Sequence, residues 1–326
     1  MMRQGASTRS LAQLASIGSA GKRFAASGFN VKVLRTLDLL RKDEWIRVDE
    51  AVVRVARSNL GAITDLRNAG LVRNLGSIGV MLDQFEKVTE VDEAEQNMTG
   101  IAPGQRDLPE YTLATVPIPV TFRDFQVNIR TLEASRTRGA AMDTVTAEMC
   151  TRRVTEKLDD MVFNGSVIQV DGAVIFGYTT HPDRQTGTLG ADWTVDQTVI
   201  VDDVVAMITA LETINYRGPY VLYVPVNFKS VLRNDYSTLK GDRTFEERLL
   251  AIEEITAINS TVSLTDEVVL VQLTSDVVDL SVGQDITTVE WDEMGGLVSN
   301  FKIMAALAPR VKSSAIDENG VAHFSV

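Results

Sequence analysis

From Lys42 onward, apolar residues recur at helical spacing: Trp45, Val48, Val52, Val53 and Val55 fall on one face to about Arg57, with Asp49, Glu50 and Arg54 off it. A short helical turn follows over Thr64–Leu71, closed by Gly70, a residue suited to the left-handed conformation at a helix end. The longest helical stripe is predicted from an N-cap at Asp143 to about Phe163, ended by Asn164-Gly165. Met142, Val145, Met149, Val154, Leu158, Met161 and Val162 mark its buried side, and Arg152, Arg153, Glu156 and Asp159 its solvent side. At 1.5 Å per residue this rod is about 30 Å long.

Two other stretches read as strands: Gly79–Val91, with Val80, Leu82 and Phe85, and Tyr111–Ile129, with Val120, Phe122, Phe125, Val127 and Ile129. The intervening Asp92–Glu110 is polar and acidic and contains Gly100, Pro103, Gly104 and Pro109. This predicts a long hairpin with a solvent-reaching tip. Loops longer than about 12–15 residues without structure are uncommon in compact domains and are usually functional or disordered. A hairpin unable to bury itself in its own chain is expected to meet a neighbour.

After Gly165 the texture becomes α/β. Ile168–Tyr178 reads as strand and turn, and Asp202-Asp203 as the cap of a helix carrying Val204, Val205, Ile208, Leu211 and Ile214. Tyr220–Val224 is a buried strand stopped by Pro225. Helices over Asn227–Asn234 and Thr244–Ile252 precede strands at Val268–Leu273, Asp285–Trp291 and Asn300–Leu307. The order predicts a mixed sheet with helices on its faces.

Charge changes the picture at the N-terminus. Residues Met1–Leu37 carry six cations (Arg3, Arg9, Lys22, Arg23, Lys32, Arg35) and no acid, whereas the whole chain of 326 residues has a net charge of −12. A basic arm on an acidic body suits contact with nucleic acid or with the acidic face of another copy, and the neighbouring copy is the favoured partner. The body lacks a basic cluster rich in aromatics, so tight nucleic-acid binding is not expected of it. No stretch reaches the roughly 18 uncharged residues of a membrane span, and Met1–Leu40 lacks the apolar block of a signal peptide, so synthesis in the cytosol and no membrane contact are expected.

Candidate chemistry is sparse. One cysteine, Cys150, and two histidines, His181 and His323, leave little for a disulfide framework, a metal centre or a triad. No glycine-rich phosphate loop, HExxH or CxxC occurs. The carboxylate pairs Asp159-Asp160, Asp202-Asp203 and Glu253-Glu254 are neighbours in sequence, which on a helix point apart, and read as caps and solvated faces. No catalytic role, cofactor or metal is expected.

Taken in order, a loose arm, a helix, a long acidic hairpin, a brace helix, an α/β domain and a returning strand resemble the fold shared by tailed-bacteriophage major capsid proteins and encapsulins. Three stretches carry the resemblance: Leu40-Arg41-Lys42-Asp43-Glu44-Trp45 through Val48-Asp49; Val116-Pro117-Ile118-Pro119 through Glu133-Ala134-Ser135-Arg136 and on to Met161-Val162-Phe163-Asn164-Gly165; and Val268–Thr274, Val289-Glu290-Trp291-Asp292 and Phe301–Ala305 with Pro309-Arg310-Val311-Lys312.

The resemblance implies an α+β fold of the Hong Kong-phage type, in the branch resembling encapsulins. An N-terminal arm would span 1–39. A peripheral domain would span 40–164, with an extended loop at about 79–122 and a spine helix at about 143–163, and resume over 297–326. An axial α/β domain would span 165–296. It implies a structural subunit assembling into pentamers and hexamers of an icosahedral virion shell, built in the bacterial cytoplasm around double-stranded DNA without sequence-specific binding, with portal, scaffold or decoration proteins as further partners. The alternative is an encapsulin-type compartment around a cargo enzyme; an arm this long departs from the encapsulin pattern and favours the phage shell. Residues expected to contact neighbouring copies are Arg3, Arg9, Lys22, Arg23, Glu93, Glu95, Asp107, Glu110 and Arg310.

Overall fold

A computed structural model of the chain describes residues 42–88, 98, 108, 111–137, 144–236, 243–293, 297–314 and 316–326. The expected arm, the Asp143 cap and the hairpin tip, apart from the exposed Met98 and Leu108, lie outside the described residues.

The first stripe forms helix α1 (Lys42–Asn59), burying Val48, Ala51, Val52 and Ala56. Val53, expected on the same face, is 47% exposed, because the four buried positions define a narrower arc that it falls outside. Helix α2 (Gly61–Asn68) ends where Gly70 takes φ +73° and the Leu71 amide reaches back to the Leu66 carbonyl at 2.9 Å. After β1 (Val72–Asn74), strands β2 (Leu82–Val88) and β3 (Tyr111–Pro117) pair antiparallel from Leu82↔Pro117 to Val88↔Tyr111, the base of the expected hairpin. The second strand-like stretch is two strands, since it breaks at Ile118-Pro119: β4 (Val120–Asn128) joins another sheet and runs into α3 (Ile129–Thr137).

The long helix α4 covers Val145–Asn164. Its end is set by backbone crowding. Gly165 sits at φ +69°, where an added Cβ would lie 2.3 Å from the Ile175 carbonyl oxygen, and one on Gly177 would lie 2.2 Å from that of Phe163. Only glycines permit this approach. The next pair, β5 (Ser166–Val170) and β6 (Ala173–Ile175), is antiparallel.

The chain then builds a five-stranded mixed sheet in the order β7-β13-β10-β8-β9 from β7 (Gln185–Thr188), β8 (Tyr220–Pro225), β9 (Ile255–Thr261), β10 (Glu267–Gln272) and β13 (Val321–Ser325). β10 runs antiparallel to β8 and β13, while β8–β9 and β13–β7 are parallel. Every residue of β8 is buried. Helices α5 (Ile200–Thr213), α6 (Val226–Val231) and α7 (Phe245–Leu249) cover the sheet through Val204, Met207, Leu211, Phe228 and Leu249, with Trp193 against Phe228 at 5.2 Å. Strands β9 and β13 were not foreseen in the sequence. Asp203 does not cap α5; it is buried and accepts hydrogen bonds from the Gly190 amide (2.9 Å) and the Trp193 indole (2.8 Å).

The long strands β11 (Val278–Glu293) and β12 (Val298–Val311) complete a sheet in the order β1-β11-β12-β4. The described chain divides into two compact units. One holds residues up to Ala56, Phe122–Val154 and Ile286–Met304, and the other Arg57–Thr121, Thr155–Asp285 and Ala305–Val326. In the first unit, Phe125 stacks on Phe301 at 5.0 Å; the core of the second is the helix-covered five-stranded sheet.

Candidate assembly surfaces

The hairpin is anchored at its root in the second unit by a buried charged network. Arg310, 3% exposed in an apolar run of β12, donates through Nε to Asp279 Oδ1 (2.7 Å), through Nη2 to Asp279 Oδ2, and through Nη1 to Asp83 Oδ2 on β2 (3.0 Å). The Ser281 hydroxyl donates to Asp83 at 2.6 Å, Lys312 lies 2.7 Å from Asp279, and the guanidinium sits 5.0 Å over the Phe85 ring. A planar fork engaging two carboxylates satisfies a buried guanidinium where an ammonium would not. Lys87 adds a hydrogen bond to Ser313 at 2.5 Å. Arg310, expected to meet a neighbouring copy, is thereby committed inside its own chain and leaves the set of contact residues. An arginine within the apolar run Ala305–Val311 was itself the signal for buried partners, since a charge there must be paired.

Apolar side chains are exposed at both ends of the paired strands: Met81, just before β2, is 74% exposed, and Tyr111 and Leu113, toward the tip, are 63% and 61% exposed. Strands β5 and β6 pack beside β3 and add Val167, Ile168 and Val170. Apolar residues exposed on adjacent strands of one unit are typical of surfaces that other chains cover. The remaining expected contact residues, Arg3, Arg9, Lys22, Arg23, Glu93, Glu95, Asp107 and Glu110, lie outside the described residues.

Helix α4 corrects two expectations. Leu158, Met161 and Val162 are buried with Val154, but Val145 and Met149 are 54% and 57% exposed, and Asp159, placed on the solvent side, is buried. Burial pushes its carboxyl up to about 6, against hydrogen bonds from the Ala62 amide and the Thr261 hydroxyl that favour the charged form. Cys150 is half-buried near the Asp124 carbonyl, and burial pushes its thiol up, the setting of a packing cysteine. His181 is buried and its imidazole is pushed down to about 4 by burial; its Nδ1 accepts the Asp183 amide at 3.2 Å. His323 bridges Arg184 (3.1 Å) and Glu267 (2.8 Å). Each histidine is thus held by a structural hydrogen bond. Among the described residues, no group of three or more His, Cys, Asp or Glu side chains is gathered for a metal ion, and no helix is long and apolar enough to cross a membrane.

The crystal structure of the virus-like particle from Pyrococcus furiosus matches with a TM-score of 0.61 at 16% identity, covering 85% of this chain and 98% of that one. The capsid of Myoviridae phage XM1 matches at 0.59 and 10% identity, covering 81% and 91%. The chain has the Hong Kong-phage-type capsid fold, as its order of elements implied.

It belongs to the family of unknown function DUF6260, whose model matches residues 34–324. Among curated proteins, the type 1 encapsulin shell protein EncA of Myxococcus xanthus (strain DK1622) is 29% identical over 165 residues, 48% of this chain. The diheme-cytochrome-encapsulin shell fusion protein of Kuenenia stuttgartiensis is 24% identical over 278 residues, 84% of this chain. The matches span 50% and 71% of those two proteins, so the chain covers about half the length of the first. Both relatives are named as shell proteins.

Proposed function

We propose that the chain is the major capsid subunit of a tailed phage, with a structural rather than catalytic role, forming pentamers and hexamers of an icosahedral virion shell assembled in the bacterial cytoplasm. Double-stranded DNA is enclosed without sequence-specific contacts, and portal, scaffold or decoration proteins join the shell. The observation that carries this reading is the likeness to a phage capsid subunit over 91% of that subunit's length, together with a basic segment ahead of the shared fold. Residues 1–39 serve as an arm that reaches another copy through Arg3, Arg9, Lys22 and Arg23. Residues 40–164 and 297–326 form the peripheral domain and 165–296 the axial domain. Glu93, Glu95, Asp107 and Glu110 at the hairpin tip meet cations of a neighbour.

A second reading, an encapsulin-type compartment around a cargo enzyme, is favoured by the names of the two curated relatives. Negative-stain micrographs of purified particles separate the two. Large shells with nuclease-protected DNA support the first, small shells filled with protein support the second, and a subunit that never forms closed particles refutes both.

A further inference from the structure

The two faces of the β2–β3 pair are used differently. Successive side chains of a strand alternate between faces, and residues directly opposite in an antiparallel pair share one. Asp83, Phe85 and Lys87 lie on the face that meets Arg310 and Ser313. The other face carries Gln84, Glu86, Tyr111 and Leu113, all exposed, with Glu86 directly opposite Leu113. Beside β3, the β5–β6 hairpin exposes Val167 and turns at Asp171, an exposed carboxylate at φ +51°.

This outer surface combines a ring, aliphatic side chains and two carboxylates, Glu86 and Asp171, that have no ion-pair partner among the described residues. The cation of these strands, Lys87, is held by Ser313 on the opposite face. Such a surface repels phosphates, and two copies of it placed together would set carboxylate against carboxylate. It suits a segment that is both cationic and apolar. A guanidinium stacks on an aromatic face and forks onto a carboxylate, while the stems of Arg and Lys cover apolar surface. The chain itself holds a segment of that composition: Met1–Leu37 has six cations and no acid, and Lys22-Arg23-Phe24 sets two cations beside a ring.

We propose that the outer face of β2–β3, with the β5–β6 turn beside it, is the docking site for the basic arm of another copy, and that Lys22-Arg23-Phe24 is the segment seated there. Phe24 covers the apolar side chains, and the two cations meet Glu86 and Asp171. The inference rests on the reading of residues 1–39 as an intersubunit arm and adds the surface that the arm takes. Chain length permits it: the stretch from Phe24 to Lys42 spans about 60 Å when extended, enough to cross to an adjoining subunit. Each charged contact is exposed and weak by itself, so the docking is sensitive to salt.

The test is photo-crosslinking in purified particles of the full chain, with p-benzoylphenylalanine in place of Phe24 or of Tyr111, and mass spectrometry of the joined peptides. Both probes should give cross-linked dimers, the first joined to residues 82–117 or 166–175 and the second to residues 1–39. Glu86→Lys combined with Asp171→Lys changes exposed side chains, so circular dichroism should stay the same while the dimer yield from the Phe24 probe falls at least about fivefold at low salt. A Phe24 probe joined to a different surface of another copy overturns this docking site and leaves the intersubunit arm standing. A Phe24 probe joined only within its own chain, or a chain that never forms particles, overturns both. An unchanged yield in the double variant, or a Tyr111 probe joined to the same strand of another copy, also overturns the proposal.

Discussion

Arg310→Met removes the guanidinium that ties β2 to β11 and β12. Arg310 and Asp83 are each 3% exposed and Asp279 is 8% exposed, so the substitution strands two buried carboxylates. Breaking a buried ion pair from one side costs about 3–5 kcal/mol, because the remaining charge has lost both water and partner. Here the loss is partly offset: Lys312 stays 2.7 Å from Asp279, and Asp83 keeps the Ser281 hydroxyl and Arg73 at 3.5 Å. The expectation is therefore the low end, about 3 kcal/mol. Replacing the two acids as well, in the triple variant with Asp83→Asn and Asp279→Asn, should recover the subunit to within about 1 kcal/mol of wild type, since no charge is left stranded. Urea unfolding of unassembled subunits at neutral pH, followed by circular dichroism, measures both. A single variant within about 0.5 kcal/mol of wild type, or a triple variant no better than the single, would show that the network is not what holds the hairpin root.

Other outcomes are expected from the same physical terms. Leu158→Ala should cost about 2–5 kcal/mol, whereas Met149→Ala on the exposed part of α4 should stay within about 0.5 kcal/mol; equal thermal melts would refute this division. His181 has a folded pKa of about 4, below its ordinary 6.5, so its contribution is present above about pH 6.5 and is lost as pH falls through about 4, by up to about 3 kcal/mol. His181→Asn should flatten that acid limb, and an unchanged limb in the difference profile would sink the assignment; differences are needed because Asp159 slopes the opposite way in an overlapping range. Replacing Glu93 and Glu95 by Lys should leave circular dichroism unchanged but lower particle yield and raise salt sensitivity, as partly screened contacts of about 1 kcal/mol or less each would. Normal yields at all salt concentrations would remove the hairpin tip from assembly.

Local pattern alone determined the elements whose signals lie within a few residues of one another. The helical stripe of α4 and its stop at Asn164-Gly165 were legible because one helix face repeats every 3.6 residues and only glycine tolerates the crowded turn that follows. The hairpin strands were legible from apolar runs around a turn-rich acidic segment, and the order of elements was enough to imply the capsid fold. Tertiary structure decided what covers each face. The stripe on α4 continues through Val145 and Met149, yet they stay exposed while Asp159 is buried, because the covering of Asp159 comes from α2 and β9, distant in sequence. Asp203 looked like a cap but serves an indole ten residues earlier, and Arg310 looked like a surface cation but meets an aspartate 227 residues away. Strands β9 and β13 escaped notice because their burial alternates irregularly, and their place in the sheet comes from partners elsewhere in the chain. Periodicity records that a side chain has an inside; which distant segment forms that inside is written only in the packed fold.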